Sequence, residues 1–305
     1  MAVARRADAQ TLLALATTIA LWGSAFAAIR AALRGLTPEA LSLIRLAAAS
    51  TALALVALWR RPRRPARRDW PRIAAVALTG MTLYQLLLNS GEVRVPAGPA
   101  SILVNMSPIF TALVATAIFG ERLNAAGWLG IAVSFAGASL IGLAAGSSVS
   151  FHVAALSVLA AAVVQAAFFL LQKPLLARYA SFDLTCWAMW LGTALLIPIS
   201  LPAVISGQPT AHSLAAALYL GLGPSALGFV SWAYAVGRID VSLAASTLYL
   251  TPLFAFLPAW LLLGERLMPV AVAGGAVVIG GVAIVAASRR RIGLATGSSS
   301  REGGG

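Results

Sequence analysis

A set of uncharged polar and aromatic residues stands inside long apolar stretches of the sequence, where side chains of these types could bind a small molecule. An amide, a hydroxyl or an indole N–H is costly in hydrocarbon unless it meets another helix, the backbone, water or a ligand. We predict that these side chains line a largely uncharged substrate-binding cavity. Hydrogen bonding between helices is the alternative and, for Trp232 and Tyr234, so is an aromatic belt at the membrane interface. The set is Trp22, Ser24, Tyr84, Gln85, Asn89, Asn105, Ser107, Gln165, Ser231, Trp232, Tyr249 and Thr251.

One charge and two prolines also fall within predicted membrane helices. Arg45 lies about one third of the way into an apolar run, where a charge marks a functional site by default. It could bind substrate or act in gating, and snorkelling to the interface is the alternative. Pro108 and Pro252 each remove a helical hydrogen bond. We predict hinges at these two positions, with a static kink as the alternative.

Acidic residues and histidines cluster near the predicted helix ends rather than at midspan. The sequence contains no phosphate-binding loop, no cysteine–histidine metal cluster and no paired acids suited to hydrolysis. We therefore predict no enzymatic activity, no cofactor and no metal, and no drive by ATP. Because no acidic residue or histidine is predicted at midspan, we expect the substrate to equilibrate down its own gradient. The residues concerned are Glu39, Glu92, Glu121, Asp183, Asp240, Glu265, His152 and His212.

The elements that must position these residues are membrane-spanning helices. Sixty per cent of the residues are hydrophobic, only 10% are charged, and the mean hydropathy is +0.89. A spanning helix needs about 20 mostly apolar residues. Single runs cover 11–29, 38–58, 73–91, 95–120, 241–264 and 267–288, and two longer runs, 123–172 and 184–237, each break at a turn into two helices. The fold class predicted is an all-α integral membrane protein of ten transmembrane helices.

The placement of positive charge predicts the orientation of these helices. Arginine and lysine favour the cytoplasmic side of a membrane. With a cytoplasmic N-terminus, only four of the 22 basic residues fall on the outside, namely Arg30, Arg34, Arg94 and Arg266. The excess of positive charge therefore belongs to cytoplasmic loops and does not indicate nucleic-acid binding. Both termini are predicted to be cytoplasmic.

An internal duplication organises the chain. A proline followed twelve positions later by Gly-Glu-Arg-Leu occurs at Pro108 and again at Pro252, 144 positions later. The same offset pairs Arg94 with Arg238, Gly130 with Gly274 and Gly137 with Gly281, while Arg30 pairs with Lys173 at 143. Since each copy has five crossings, the second copy must be inverted in the bilayer, an arrangement typical of secondary transporters. The predicted repeats are 11–144 and 152–288, followed by a cytoplasmic tail, 289–305.

These features resemble the drug/metabolite transporter superfamily, specifically its ten-helix EamA family. The resemblance rests on Leu21-Trp22-Gly23-Ser24-Ala25-Phe26, on Arg45 and on the two proline-to-Gly-Glu-Arg-Leu blocks, and it covers roughly residues 11–288. Within that family the chain is similar to bacterial exporters of aromatic amino acids. The resemblance implies export of amino acids and toxic compounds by alternating access, as a multi-pass protein of the bacterial inner membrane.

Two kinds of alternative remain. The first is a transporter of another substrate class, namely sugars, polyamines or nucleotide-sugars. The second is a structural or insertion-assisting membrane subunit, which is less favoured because it would not explain the repeats. The expected partners are a small-molecule substrate and the lipid bilayer, with no nucleic acid. A monomer is favoured over a homodimer.

Overall fold

The protein is helical throughout the part of the chain that the structure describes. The computed structural model describes residues 8–119, 124–144, 149–239, 241–264, 269–270, 272–284 and 287, and these residues contain no β-strand. The carboxylates Glu121, Asp240 and Glu265, both Gly-Glu-Arg-Leu blocks apart from Gly264, and the tail 289–305 lie outside the described residues. An all-helical fold suited to a membrane agrees with the sequence prediction.

The helices follow one another with short connections. Asp8 accepts a hydrogen bond from the backbone N–H of Thr11 at 2.8 Å and so caps the first helix. The second helix ends at Arg60 and is followed by Arg61, which has a left-handed backbone with φ 44°. In chain order the helices are α1 (Ala9–Ala32), α2 (Pro38–Arg60), α3 (Arg67–Glu92), α4 (Ala97–Val104), α5 (Ser107–Phe119), α6 (Ala125–Ala144), α7 (Val149–Leu176), α8 (Ser181–Ser206), α9 (Ala211–Arg238), α10 (Val241–Thr247), α11 (Thr251–Leu263) and α12 (Val272–Ile284).

Six of the described helices are long and apolar enough to cross a membrane. They comprise α1, α2, α3, α8 and α9 in full, and Val153–Leu176 of α7. Shorter apolar helices occur at Ala125–Ala138 and Val272–Ile284. The runs 95–120 and 241–264, each predicted as one continuous crossing, are instead divided, the first into α4 and α5 and the second into α10 and α11. The total of ten crossings remains a prediction.

The packing of the helices repeats itself between the two halves of the chain. Helix α1 packs on α11, and α7 packs on α5. The second half of α3 packs on α7, and α9 packs on α1. The π-helical part of α3 contacts α8, and that of α9 contacts α2. These contacts form three pairs. In each pair, the helices that form one contact correspond, by the 144-residue offset, to the helices that form the other.

Helices α6 and α12 cross in close contact through matching glycines. A Cβ on Gly137 would collide with the backbone of Gly274 and Val278, and one on Gly281 would collide with Gly130 and Ser134. The Ser134 hydroxyl donates to the carbonyl of Val278 at 3.2 Å. Gly130, near the start of α6, meets Gly281, near the end of α12, whereas the later Gly137 meets the earlier Gly274. The two helices therefore run antiparallel.

Local irregularities also recur at matching positions. Helices α3 and α9 contain π-helical segments, Ala77–Leu83 and Gly221–Gly228, which begin 144 positions apart. Arg30 donates to the carbonyls of Glu92 and Val93 at the end of α3. Lys173 donates to the carbonyls of Val236 and Ile239 at the end of α9. In each half, a cation near the end of the first helix therefore satisfies carbonyls at the C-terminus of the third, where positive charge is favoured.

Candidate functional site

A small cavity lies among α1, α2, α3 and α9, next to both π-helical segments. Tyr84 directly follows the π segment of α3, and Pro224 lies inside that of α9. Such segments occur frequently at functional sites, because they change which side chains a helix presents. The cavity is lined by Trp22, Ala25, Phe26, Ile29, Arg45, Tyr84, Gln85, Leu88, Pro224 and Phe229.

One wall of the cavity is aromatic and centres on Trp22. Its indole N–H donates to the carbonyl of Pro224 at 3.2 Å. The ring lies 5.2 Å from that of Phe229 and 5.4 Å from that of Trp232. A Cβ on Gly228 would meet the indole of Trp22, so the glycine leaves room for that ring against α9. These separations suit favourable tilted aromatic contacts, and they hold Trp22 in place at the cavity.

Arg45 supplies positive charge to the lining of the cavity. It is only 3% exposed, so it is buried among helices rather than snorkelling to the interface. Its Nε donates to the hydroxyl of Ser225 at 3.1 Å. Among the described residues no group accepts a hydrogen bond from its Nη1. Tyr84 and Glu92 lie within its electrostatic reach. A buried guanidinium with an unused donor is suited to an anionic group of a ligand.

Gln85 is the second polar group with unused hydrogen-bonding capacity at the cavity. Its side chain is completely buried, and neither amide atom has a hydrogen-bond partner among the described residues. Leaving a buried polar group unsatisfied costs about 1–3 kcal/mol. The neighbouring Tyr84 also lines the cavity. Gln85 can therefore both donate to and accept from a ligand.

The structure brings four of the residues singled out from sequence to this cavity, namely Trp22, Arg45, Tyr84 and Gln85. Four others make contacts elsewhere. The hydroxyls of Ser24 and Tyr219 lie 2.6 Å apart at an exposed position. The amide of Asn89 donates to Ser42, and that of Asn105 donates to the carbonyl of Ser101. Thr251 is buried at the start of α11, where it packs close to α1.

The remaining predicted residues do not line the cavity, or have side chains outside the described residues. Ser107 and Ser231 are buried, at the start of α5 and in α9. Trp232 is completely buried and stacks 4.5 Å from Phe169, which excludes a place in an interfacial belt. Tyr234 donates its hydroxyl proton to Gln10 at an exposed position, as a belt residue would. The side chain of Tyr249 lies outside the described residues.

The two predicted hinge prolines open new helices rather than kinking continuous ones. Pro108 is the second residue of α5, and Pro252 is the second residue of α11. Proline is well tolerated there because the first turn of a helix has no internal use for its N–H. The chain before each is a turn at Asn105-Met106 or a 3₁₀ segment at Leu248–Leu250. Whether these breaks bend during function stays a prediction.

Sequence reasoning missed several residues of the site. Phe26, Pro224 and Phe229 line the cavity but look like ordinary apolar residues in the sequence. Glu92, placed by sequence at a helix end, is indeed the last residue of α3, yet it is completely buried and within electrostatic reach of Arg45. The position at a helix end agrees with the sequence prediction, whereas the complete burial of this carboxylate was not predicted.

The cavity has a very small volume. Its volume is about 20 Å³, which is room for about one water molecule. Pockets that hold drug-sized ligands have volumes of roughly 300–1,000 Å³. A ligand of that size would therefore fit only if the helices around the cavity moved apart.

Comparison with known proteins identifies what this arrangement is similar to. The sequence profile of the EamA-like transporter family matches residues 10–143 and again residues 152–287. The chain is 48% identical over 282 residues to a protein of Streptantibioticus cattleyicolor named "Probable terminal-alkyne amino-acid exporter", covering 92% of this chain and 94% of that protein. It is 35% identical over 281 residues to the uncharacterized transporter YdfC of Bacillus subtilis, covering 91% of each.

A solved structure agrees with the fold. A crystal structure that is 21% identical in sequence superposes with a TM-score of 0.66, covering 92% of this chain and 98% of its own.

Proposed function

This chain belongs to the EamA-like transporter family, and we propose that it is a secondary exporter of amino acids with aromatic or otherwise unsaturated side chains. The observation that carries the proposal is the cavity itself. It sets an unused Arg45 donor and the unsatisfied amide of Gln85 against an aromatic wall. The similarity to a relative named as an exporter of terminal-alkyne amino acids supports the same substrate class.

Each part of such a substrate has a counterpart in the cavity. The carboxylate would pair with Arg45, whose burial strengthens the charge-assisted hydrogen bond. Gln85 would bond the amino or carboxylate group with its amide. Trp22 and Phe229 would contact the side chain, and a flat or linear π system gains about 0.5–1.5 kcal/mol from such a ring beyond burial of its area. A polyamine, which is wholly cationic, would be repelled by Arg45.

The mechanism we propose is alternating access by two inverted repeats, 11–144 and 152–288. The paired helix contacts, the π segments 144 positions apart and the antiparallel crossing of α6 and α12 all support a two-fold relation between the halves. Two halves related in this way can exchange conformations and open the same site first to one side and then to the other.

The direction and energy of transport remain parts of the proposal. With both termini cytoplasmic, substrate would enter from the arginine-rich side and leave at the end of α1. The sequence predicts a facilitator with no coupling ion. The burial of Glu92 makes this carboxylate the group to test as a proton site.

The test of the proposed function is counterflow of labelled amino acids in proteoliposomes. Vesicles preloaded with unlabelled substrate are expected to take up labelled phenylalanine and propargylglycine, but not labelled sugars or polyamines. Trp22→Ala and Tyr84→Ala should reduce uptake of phenylalanine more than uptake of alanine, because they remove ring contacts. Leu222→Ala is the matched control, since Leu222 is exposed on the same helix as Phe229 and does not line the cavity. Uptake confined to sugars or polyamines would refute the proposal.

A further inference from the structure

A second cavity lies beyond the first at the ends of α1 and α3. Its volume is about 190 Å³, and it is lined by Arg30, Leu33, Arg34, Val93 and Leu263. We call this cavity the vestibule. Arg30 lies in the last turn of α1 and Arg34 in the turn that follows this helix, while the other three residues are apolar. In the predicted orientation the vestibule faces the outside of the cell.

The two cavities follow the same seam between α1 and α3. The first uses Phe26 and Ile29 of α1 with Leu88 of α3. The vestibule begins at the next position on α1, Arg30, and one residue past the end of α3, at Val93. A substrate that leaves the first cavity along this seam in the proposed direction of export would therefore enter the vestibule.

The two arginines of the vestibule differ in the hydrogen bonds that their guanidinium groups make to the described residues. Arg30 donates to the carbonyls of Glu92 and Val93 at 2.6 and 3.1 Å, so its place is explained by capping α3. Arg34 is exposed, and no described residue pairs with its guanidinium group. The role of Arg34 is thus not explained by the packing of the described residues.

The internal duplication shows that this unpaired arginine is a departure from the other half. The residue 144 positions after Arg34 is Arg178, which forms an ion pair with Asp69 at 2.8 Å. The residue 144 positions after Asp69 is Ser213, which is buried next to Gly35. The arginine of the second half is therefore neutralised by a carboxylate of the first half, whereas the arginine of the first half has only a hydroxyl of the second half at the corresponding position. The charge of Arg34 stays available to an anion from solution.

We propose that Arg34 binds the carboxylate of the exported amino acid in the vestibule, and that this is a second binding site, reached after the one at Arg45. This inference rests on the proposed function. The ligand that this site would bind has one oxyanion and an apolar side chain. The guanidinium group would bind the oxyanion, and Leu33, Val93 and Leu263 would contact the side chain. A lipid phosphate has the same chemistry, so the test must separate these two sources.

The test is inhibition of counterflow from the vestibule side, in vesicles whose orientation is read from protease access to a C-terminal tag. Unlabelled phenylalanine, or phenylalanine amide, which lacks the carboxylate, is added on that side. Arg34→Gln is expected to raise the half-inhibitory concentration of phenylalanine about threefold to tenfold, and to leave that of the amide unchanged. Arg34→Lys should retain most of the effect because it keeps the charge.

Arg94→Gln is the matched control, since Arg94 is exposed at the same end of α3 and does not line the vestibule. Equal behaviour of Arg34→Gln and Arg94→Gln, in a wild-type protein that exchanges phenylalanine, would overturn the vestibule site and leave the proposed function intact. An effect present with anionic lipid and lost in purely zwitterionic vesicles would assign Arg34 to lipid and also overturn it. Failure of the wild-type protein to exchange any amino acid would overturn both proposals.

Discussion

Replacement of Arg45 by glutamine should selectively impair recognition of substrates that carry a carboxylate. Arg45 is buried and donates to Ser225 through Nε, and its Nη1 has no acceptor among the described residues. If Nη1 binds the carboxylate, the substitution removes a hydrogen bond between charged groups. Such bonds contribute about 1.5–3 kcal/mol. Since each 1.4 kcal/mol is tenfold in affinity, we expect the affinity for phenylalanine to fall roughly 10- to 150-fold.

The measurement compares two ligands in the same protein. Half-saturating concentrations for phenylalanine and for phenylalanine amide are determined by counterflow in proteoliposomes, and thermal unfolding of each variant in detergent checks its fold. The amide should lose less than about threefold, because it never paired with the guanidinium. Arg45→Lys should give an intermediate loss for phenylalanine, since lysine keeps the charge but not the forked geometry.

The reasoning about Arg45 would be refuted by equal losses for the two ligands in a folded variant. That outcome would make Arg45 a residue that holds α2 and α9 together through Ser225. A variant that binds phenylalanine as the wild-type protein does would also exclude Arg45 from the site.

Three further predictions concern energy coupling and packing. In liposomes with an imposed pH gradient and equal substrate on both sides, we expect no accumulation of substrate; accumulation that is lost in Glu92→Gln would instead identify Glu92 as a proton site. Gly281→Leu should destabilise the protein by about 1–3 kcal/mol through overpacking, whereas Gly280→Leu, with open space around its Cα, should leave the melting temperature nearly unchanged. Asp69 pairs with Arg178 at 2.8 Å and accepts a hydrogen bond from the hydroxyl of Tyr179 at 2.7 Å. Asp69→Asn should weaken both contacts and lower stability by about 1–3 kcal/mol; an unchanged melting temperature would show that these contacts are dispensable.

Sequence patterns were sufficient for most of the long helices and for part of the site, but not for the breaks that divide the runs 95–120 and 241–264. Long apolar runs with basic flanks predicted α1, α2 and α3 because a helix in hydrocarbon must satisfy its backbone internally and present apolar side chains. The duplicated proline and glycine positions predicted that distant segments would correspond. Trp22 and Arg45 were identified because an indole or a charge in such a run needs a partner, and both do line the cavity.

What the sequence by itself determined is therefore the class of the protein, its helices and the residue types that a membrane interior makes costly. Only the tertiary structure decided which of those residues meet. The Nε of Arg45 reaches Ser225, 180 positions away, and the indole of Trp22 reaches Pro224, 202 positions away. The direction in which a side chain points depends on how its helix is rotated against its neighbours. Ser24, two residues from Trp22, consequently meets Tyr219 at an exposed position, and Glu92 at a helix end is completely buried. Hydrophobic runs carry no periodic polar face to specify that rotation, so it is set by packing between the two halves of the chain.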